Sequence, residues 1–263
     1  STPTPSSAAS DVYKRQPSGR GKKLTKPPVK IFAEVNNIEF KQPAMLKDKF
    51  LIDFLKTKEA DLFVVFAYGH LIPEEILKIF KKGALNIHTS LLPKLRGAAP
   101  IQRAIINGDK LTGLTFMKME KGLDTGPIYR QDHIEIDHKE TSDSLEKKMS
   151  KVSSSKIVEV IDLIAENKLK LISQNNESAT YAPKISREET KINWSMKATA
   201  IASLINGLSP SPAAYGLLNK QRINFYLAEA VEKESLGPGK IVEVSKNKLL
   251  VGAKDFCVSI KEL

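Results

Sequence analysis

The fold class read from this chain is α/β with a mainly parallel sheet, succeeded by a small β-barrel, and three observations carry it. Leu62-Phe63-Val64-Val65-Phe66 is a continuous apolar run, as a strand buried on both faces should be. Strand-like and helix-like segments alternate as far as about residue 167, the pattern of a layered sheet. After Leu171 the chain passes into short strand-like runs divided by Gly and Asn, the pattern of a small barrel.

The elements follow in order. A basic loop from Gly19 to Pro28 is punctuated by glycine and proline, and a helix-like run follows from Val29 to about Val35. Lys47 to Lys56 has helical apolar spacing, with Phe50, Leu51, Phe54 and Leu55 on one side. The apolar strand ends at Tyr68-Gly69-His70, and Pro73 to about Lys81 predicts a helix, with proline at its start and Gly83 after its end. A short strand around Asn86, a helix from Ala99 to Asn107, and strands over Gly113–Met119 and Ile128–Ile136 come next. Thr141 to about Asn167 predicts a long amphipathic helix whose apolar face is Leu145, Met149, Val152, Ile157, Val160 and Ile164. Gln174 to Thr190 is polar and turn-rich, a linker. A helix from about Met196 to Ile205 leads into runs at Ile223–Ala230, Lys240–Val244, Leu249–Gly252 and Phe256–Ile260.

Composition narrows the function. No apolar run approaches the roughly 20 residues of a membrane span, and no signal-peptide core stands at the N-terminus, so no membrane association is expected. The single Cys257 excludes an internal disulfide and suits a reducing cytoplasm. The four histidines and one cysteine show no metal-ligand spacing, so no metal is expected. With 41 Lys and Arg against 30 Asp and Glu, the net charge of +11 favours an anionic partner such as a nucleic acid. A lysine-rich solvated surface gives the same count.

The chemistry-bearing stretch runs from Ala84 to Gly97 and is answered by Gly122-Leu123-Asp124-Thr125-Gly126-Pro127. Asn86 and His88 lie two apart on a strand, so both leave one face while Leu85 and Ile87 leave the other. An amide donor, an imidazole and an orienting carboxylate suffice for acyl-type transfer without a nucleophilic serine or cysteine. Taken alone, each piece has a structural alternative: a satisfied pair on a strand, a turn at Ser90-Leu91-Leu92-Pro93, an Asx-type turn at Asp124.

Together these residues resemble the methionyl-tRNA formyltransferases, from about Gly19 to the C-terminus. Asn86-x-His88, Ser90-Leu91-Leu92-Pro93 and the distant Asp124 look like the signature of formyltetrahydrofolate-using transferases. Arg96-Gly97-Ala98-Ala99-Pro100-Ile101-Gln102, Gly19-Arg20-Gly21-Lys22-Lys23, Ala179-Thr180-Tyr181-Ala182 and Ile192-Asn193-Trp194 are more particular to the tRNA enzymes. The resemblance implies a Rossmann-like formyltransferase domain and an OB-like C-terminal domain. It also implies transfer of a formyl group from 10-formyltetrahydrofolate, as co-substrate, to the amino group of methionyl-initiator tRNA. Asn86 would hold the formyl oxygen, His88 would act as general acid and base, and Asp124 would fix the imidazole or a water beside it. The pterin would be received by Phe66, Tyr68, Gly69, Ser90, Leu91, Leu92, Pro93 and Leu123, and the tRNA acceptor end by Arg20, Lys22 and Lys23. Lys220, Lys240 and Lys246 are weaker barrel candidates for the tRNA body. His70, His133 and His138 are expected to be surface or packing residues. A cytoplasmic monomer is expected.

The implied organisation is 17–173 catalytic, 174–194 linking and 195–263 tRNA-binding. Residues 1–16 are unlike the rest, and Ser6 to Gln16 resembles the in-frame translation of a transposase sequencing adapter, so a non-native or disordered tail is expected there. The family begins with a strand and helix ahead of the basic loop and ends beyond Leu263, so a partial gene product is expected. Leu208-Ser209-Pro210-Ser211-Pro212 lacks the aromatic residue that the family usually has between its prolines. Two rivals remain: a folate-dependent formyltransferase acting on glycinamide ribonucleotide or an amino sugar, and a non-catalytic RNA-binding relative.

Overall fold

The computed structural model describes residues 16–18, 23–43, 45–68, 71–245 and 248–263, with side chains from residue 26 onward. Strands β1 (Gln16–Ser18) and β2 (Lys23–Thr25) pair antiparallel, and helices α1 (Pro28–Val35) and α2 (Lys49–Thr57) follow. Pro28 suits the first turn of α1, and Asp48 caps α2 by accepting from Phe50 N. The buried face of α2 centres on Ile52, with Leu51 and Leu55 beside it, rather than on Phe50, which is 86% exposed.

Strand β3 (Phe63–Phe66) pairs parallel with β4 (Ala84–His88) through the short helix α3 (Glu74–Leu77). The helix expected from Pro73 to Lys81 thus ends at Leu77. Lys82 N bonds Asp61 O, Phe63 N bonds Gly83 O, and Phe80 stacks on Phe63 at 5.0 Å, drawing the chain back to the sheet. After β5 (Arg96–Gly97) and helix α4 (Pro100–Ile106), strands β6 (Leu111–Lys118) and β7 (Ile128–Glu135) complete a sheet of order β3-β4-β6-β7. The layer is α/β as predicted, with mixed rather than mainly parallel pairing among the described strands. β6 and β7 form a hairpin, and β6 runs antiparallel to β4. β3 is an edge of this described sheet, with Val64 40% and Phe66 47% exposed, whereas its apolar run predicts burial on both faces.

Helix α5 (Ser142–Ala165) opens with a capping box between Thr141 and Ser144. It packs Leu145, Met149, Val160 and Ile164 against Leu85, Ile87, Leu114 and Phe116, with Val152 and Ile157 at the margin. The predicted linker is more ordered than a loop, because β8 (Tyr181–Ala182) pairs parallel with β5.

The C-terminal part is a small antiparallel β unit on helix α6 (Ala198–Gly207). It holds a hairpin of β9 (Ala214–Leu218) and β10 (Gln221–Phe225), and a sheet of order β11-β14-β13-β12. The sheet strands are β11 (Leu227–Glu234), β12 (Ile241–Ser245), β13 (Lys248–Gly252) and β14 (Phe256–Glu262). The run predicted over Ile223–Ala230 is divided at Tyr226, its first part pairing with β9 and its second with β14, so its halves join different sheets. Ile201 and Ile205 pack on Ala228, Val258 and Ile260, and the buried Asn206 amide closes two bonds with the Ala228 backbone at 3.0 and 2.9 Å. A Cβ on Gly207 would lie 2.6 Å from Ile106 Cγ1, so this glycine permits the close approach of α6 to α4.

Candidate active site

Alternation along β4 directs Asn86 and His88 to one face, and parallel register sets Val65 beside Asn86 and Phe66 beside Ile87. His88 is 6% exposed. Its Nε2 lies 2.9 Å from Leu95 O, a carbonyl that can only accept, so in the neutral ring Nε2 carries the hydrogen. Nδ1 is then the lone-pair nitrogen, and it stands 3.7 Å from Asp124 Oδ2. Two acceptors face one another across a gap too long for a direct hydrogen bond. A group bearing hydrogens, either an amine or a water, can donate to both atoms from beside this gap.

Asp124 reaches this position from the turn between β6 and β7, with φ +52°. Its carboxylate accepts from Gly97 N at 2.8 Å, and its carbonyl accepts from Gln174 Nε2 at 2.8 Å. Gly97 has φ +117°, and a Cβ there would lie 2.9 Å from Ala182 O, so the turn requires glycine. The segment 90–95 is braced as closely. Thr115 Oγ1 donates to Ser90 O and accepts from Leu92 N, Gln131 Nε2 donates to Leu92 O, and Thr180 Oγ1 accepts from Leu95 N. Thr115, Gln131, Gln174 and Thr180 escape a sequence reading because their partners lie 16 to 85 residues away.

The Formyl transferase family matches residues 11–161, and the Formyl transferase, C-terminal domain family matches residues 184–263. A methionyl-tRNA formyltransferase of Legionella pneumophila (strain Corby) is 38% identical over 249 residues, covering 94% of this chain and 79% of that protein. One from Pelagibacter ubique (strain HTCC1062) is 43% identical over 241 residues, covering 90% of this chain and 76% of the relative. The chain belongs to the methionyl-tRNA formyltransferase family. Among solved structures, WlaRD, a sugar 3N-formyl transferase determined in the presence of dTDP and 5-N-formyl-THF, superposes with a TM-score of 0.68 at 23% identity, over 90% of this chain and 82% of that one. An N-formyltransferase from Helicobacter canadensis, complexed with folinic acid and dTDP-3-aminofucose, gives 0.67 at 20% identity over 94% and 85%. These two share the fold.

The remaining candidate residues of this formyltransferase are distributed unevenly around the pair. Phe66 ends β3 with its ring half-exposed, Tyr68 is half-buried and Leu123 is 53% exposed on the Asp124 turn. Leu91 and Pro93 are half-buried. Ser90 and Leu92 face inward: Ser90 Oγ donates to Lys94 O at 2.6 Å and Leu92 packs on Met117 and Ile128, which leaves their backbone for any ligand. Gly69, Arg20, Lys22, His70 and Lys246 lie outside the described residues, and Lys23 is described by its β2 backbone alone. Lys220, Lys240, His133 and His138 are exposed. Among the described residues no cluster of His, Cys, Asp and Glu could hold a metal, and no helix is long and apolar enough to cross a membrane.

Proposed function

We propose that this chain transfers a formyl group from 10-formyltetrahydrofolate to the amino group of methionyl-initiator tRNA, as a cytoplasmic monomer. The observation that carries the chemistry is the His88 ring, bonded through Nε2 to Leu95 O and presenting Nδ1 to Asp124 across 3.7 Å. His88 Nδ1 takes a proton from an amine lying beside that gap and returns it to the departing group, while Asp124 orients the amine or a bridging water. The Asn86 amide, on the same face, donates to an oxygen that gains negative charge during transfer. No side chain bonds covalently to the transferred group, so catalysis rests on placement, proton transfer and one hydrogen-bond donor.

The site suits a folate co-substrate. Phe66 offers a half-exposed ring at the carboxyl end of a strand parallel to β4, and ligands of open α/β sheets bind beyond such ends. When bound, the 10-formyl folate supplies a one-carbon unit at the oxidation level of formate, carried as an amide. Phe66, Tyr68, Gly69, Leu123 and the backbone of Ser90–Pro93 would line the pterin. Arg20, Lys22 and Lys23 would meet the tRNA phosphates, supported by the net charge of +11. Residues 17–173 would then catalyse, 174–194 link and 195–263 hold the tRNA.

A formylation assay tests this reading by offering methionyl-tRNA, glycinamide ribonucleotide and an amino-sugar nucleotide with one donor. Transfer to methionyl-tRNA alone is the expected result. Transfer to a sugar but not to the tRNA, or tRNA binding without any transfer, overturns it.

A further inference from the structure

We propose that Gln174, gripped by the buried Arg96 guanidinium, is a positioning residue that sets the Asp124 carboxylate against His88, an inference that rests on the catalytic reading above. One side-chain nitrogen of Gln174 donates to two carbonyls of the same turn, Asp124 O at 2.8 Å and Gly126 O at 2.7 Å. Its Oε1 accepts from Arg96 Nε at 3.1 Å and Nη2 at 2.7 Å. A flipped amide would turn its N–H groups on the guanidinium and its oxygen on the carbonyls, so only one orientation of Gln174 satisfies both sides.

Arg96 itself is unusual in its company. It is 2% exposed, and its donors go to the amide oxygens of Gln174 and, at 2.9 Å, Asn176, with no carboxylate partner among the described residues. Burying a guanidinium without a counter-charge is unfavourable, so stability alone does not account for this arrangement. What it achieves is geometric. The next residue, Gly97, donates its N–H to Asp124 Oδ2, while Gln174 holds the Asp124 carbonyl. Both ends of Asp124 therefore trace to the Arg96–Gly97 pair, and a residue at φ +52° is held where a free chain would seldom keep it.

Gln174→Glu separates positioning from stability. It keeps an acceptor for Arg96 and adds the missing counter-charge, but has no N–H for the Asp124 and Gly126 carbonyls. Gln174→Met, of similar length, removes donor and acceptor together and serves if the Glu variant fails to fold. Single-turnover formylation of methionyl-tRNA by excess full-length enzyme, well below the melting temperature, is expected to slow 10- to 100-fold in either folded variant, with both KM values within threefold of the parent. A single-turnover rate within twofold of the parent in either folded variant overturns the positioning role. His88→Ala is run alongside: transfer retained there overturns the catalytic reading and this inference with it, whereas transfer lost there and retained in Gln174→Glu overturns the inference alone.

Discussion

Asp124 Oδ2 stands 3.7 Å from His88 Nδ1, and neither atom is a donor while the ring is neutral with its hydrogen on Nε2. The gap therefore selects something that donates to both. His88→Ala removes the proton acceptor and is expected to lower kcat by about 10²–10⁴ with little change in KM. Asp124→Asn keeps an oxygen for the Gly97 N–H but removes the negative charge that orients the amine or water beside Nδ1, so kcat should fall by a similar factor. Steady-state kinetics of both variants check this. A rise in KM at constant kcat would mean that the pair binds substrate rather than moving its proton.

Gly97 joins this pair to the rest of the molecule. Its φ of +117° excludes ordinary side chains, and a Cβ would press to 2.9 Å from Ala182 O in the neighbouring strand β8. Gly97→Ala should destabilise the fold by about 1–3 kcal/mol, lowering the melting temperature by several degrees. Because the Gly97 N–H would move off Asp124 Oδ2, kcat should fall further than the loss of folded protein explains. Thermal melting beside active-site-normalised kinetics separates the two effects.

How much of this was legible depends on how local each relationship is. Asn86 and His88 share a face by strand alternation alone, and the apolar stripe of α5 is written at helical spacing, so both could be read from the sequence. Asp124 is 36 residues beyond His88, and only the resemblance to a family drew the two together. Gln174 looked like one polar residue in a linker because its value lies in two carbonyls 48 and 50 residues away. The Leu62–Phe66 run misled for a related reason: apolarity on both faces states what a strand would bury, whereas β3 is an edge of the described sheet. Tyr226 likewise divides the run over Ile223–Ala230, whose first part pairs with β9 and whose second part pairs with β14, partners that the run itself does not name.

The linker is also fastened to α4 by charge. Arg103 forks onto both carboxylate oxygens of Glu189 and donates to Pro183 O. These guanidinium bonds hold the Glu189 carboxyl down at about 2, below its ordinary 4.5. A depressed carboxyl contributes stability that is fully present above the unfolded value and lost as pH falls toward the folded one. The contribution should therefore fade between about pH 4.5 and pH 2. Since the Glu189 side chain is 38% exposed, solvent screening reduces the worth of the pair to about 1 kcal/mol. Glu189→Gln should cost that much at pH 7 and flatten this part of the acid-unfolding curve, as followed by urea melts at stepped pH. Equal destabilisation at pH 7 and pH 2 would rule the linkage out.

Thr112 carries the opposite kind of polar group. It is 3% exposed on β6, and its hydroxyl has no hydrogen-bond partner among the described residues. Burying a hydroxyl without a partner costs about 1–3 kcal/mol, and valine has nearly the same shape without that cost. Thr112→Val should therefore raise stability by about 1 kcal/mol, or about 2–4 °C in melting temperature at this chain length. Thr112→Ser keeps the hydroxyl and loses the packed methyl, so it should be less stable than the parent by a similar amount. Melting curves of the three proteins decide the matter. A destabilised valine variant would show that a buried water completes the hydroxyl's bonding, and that the site is polar rather than strained.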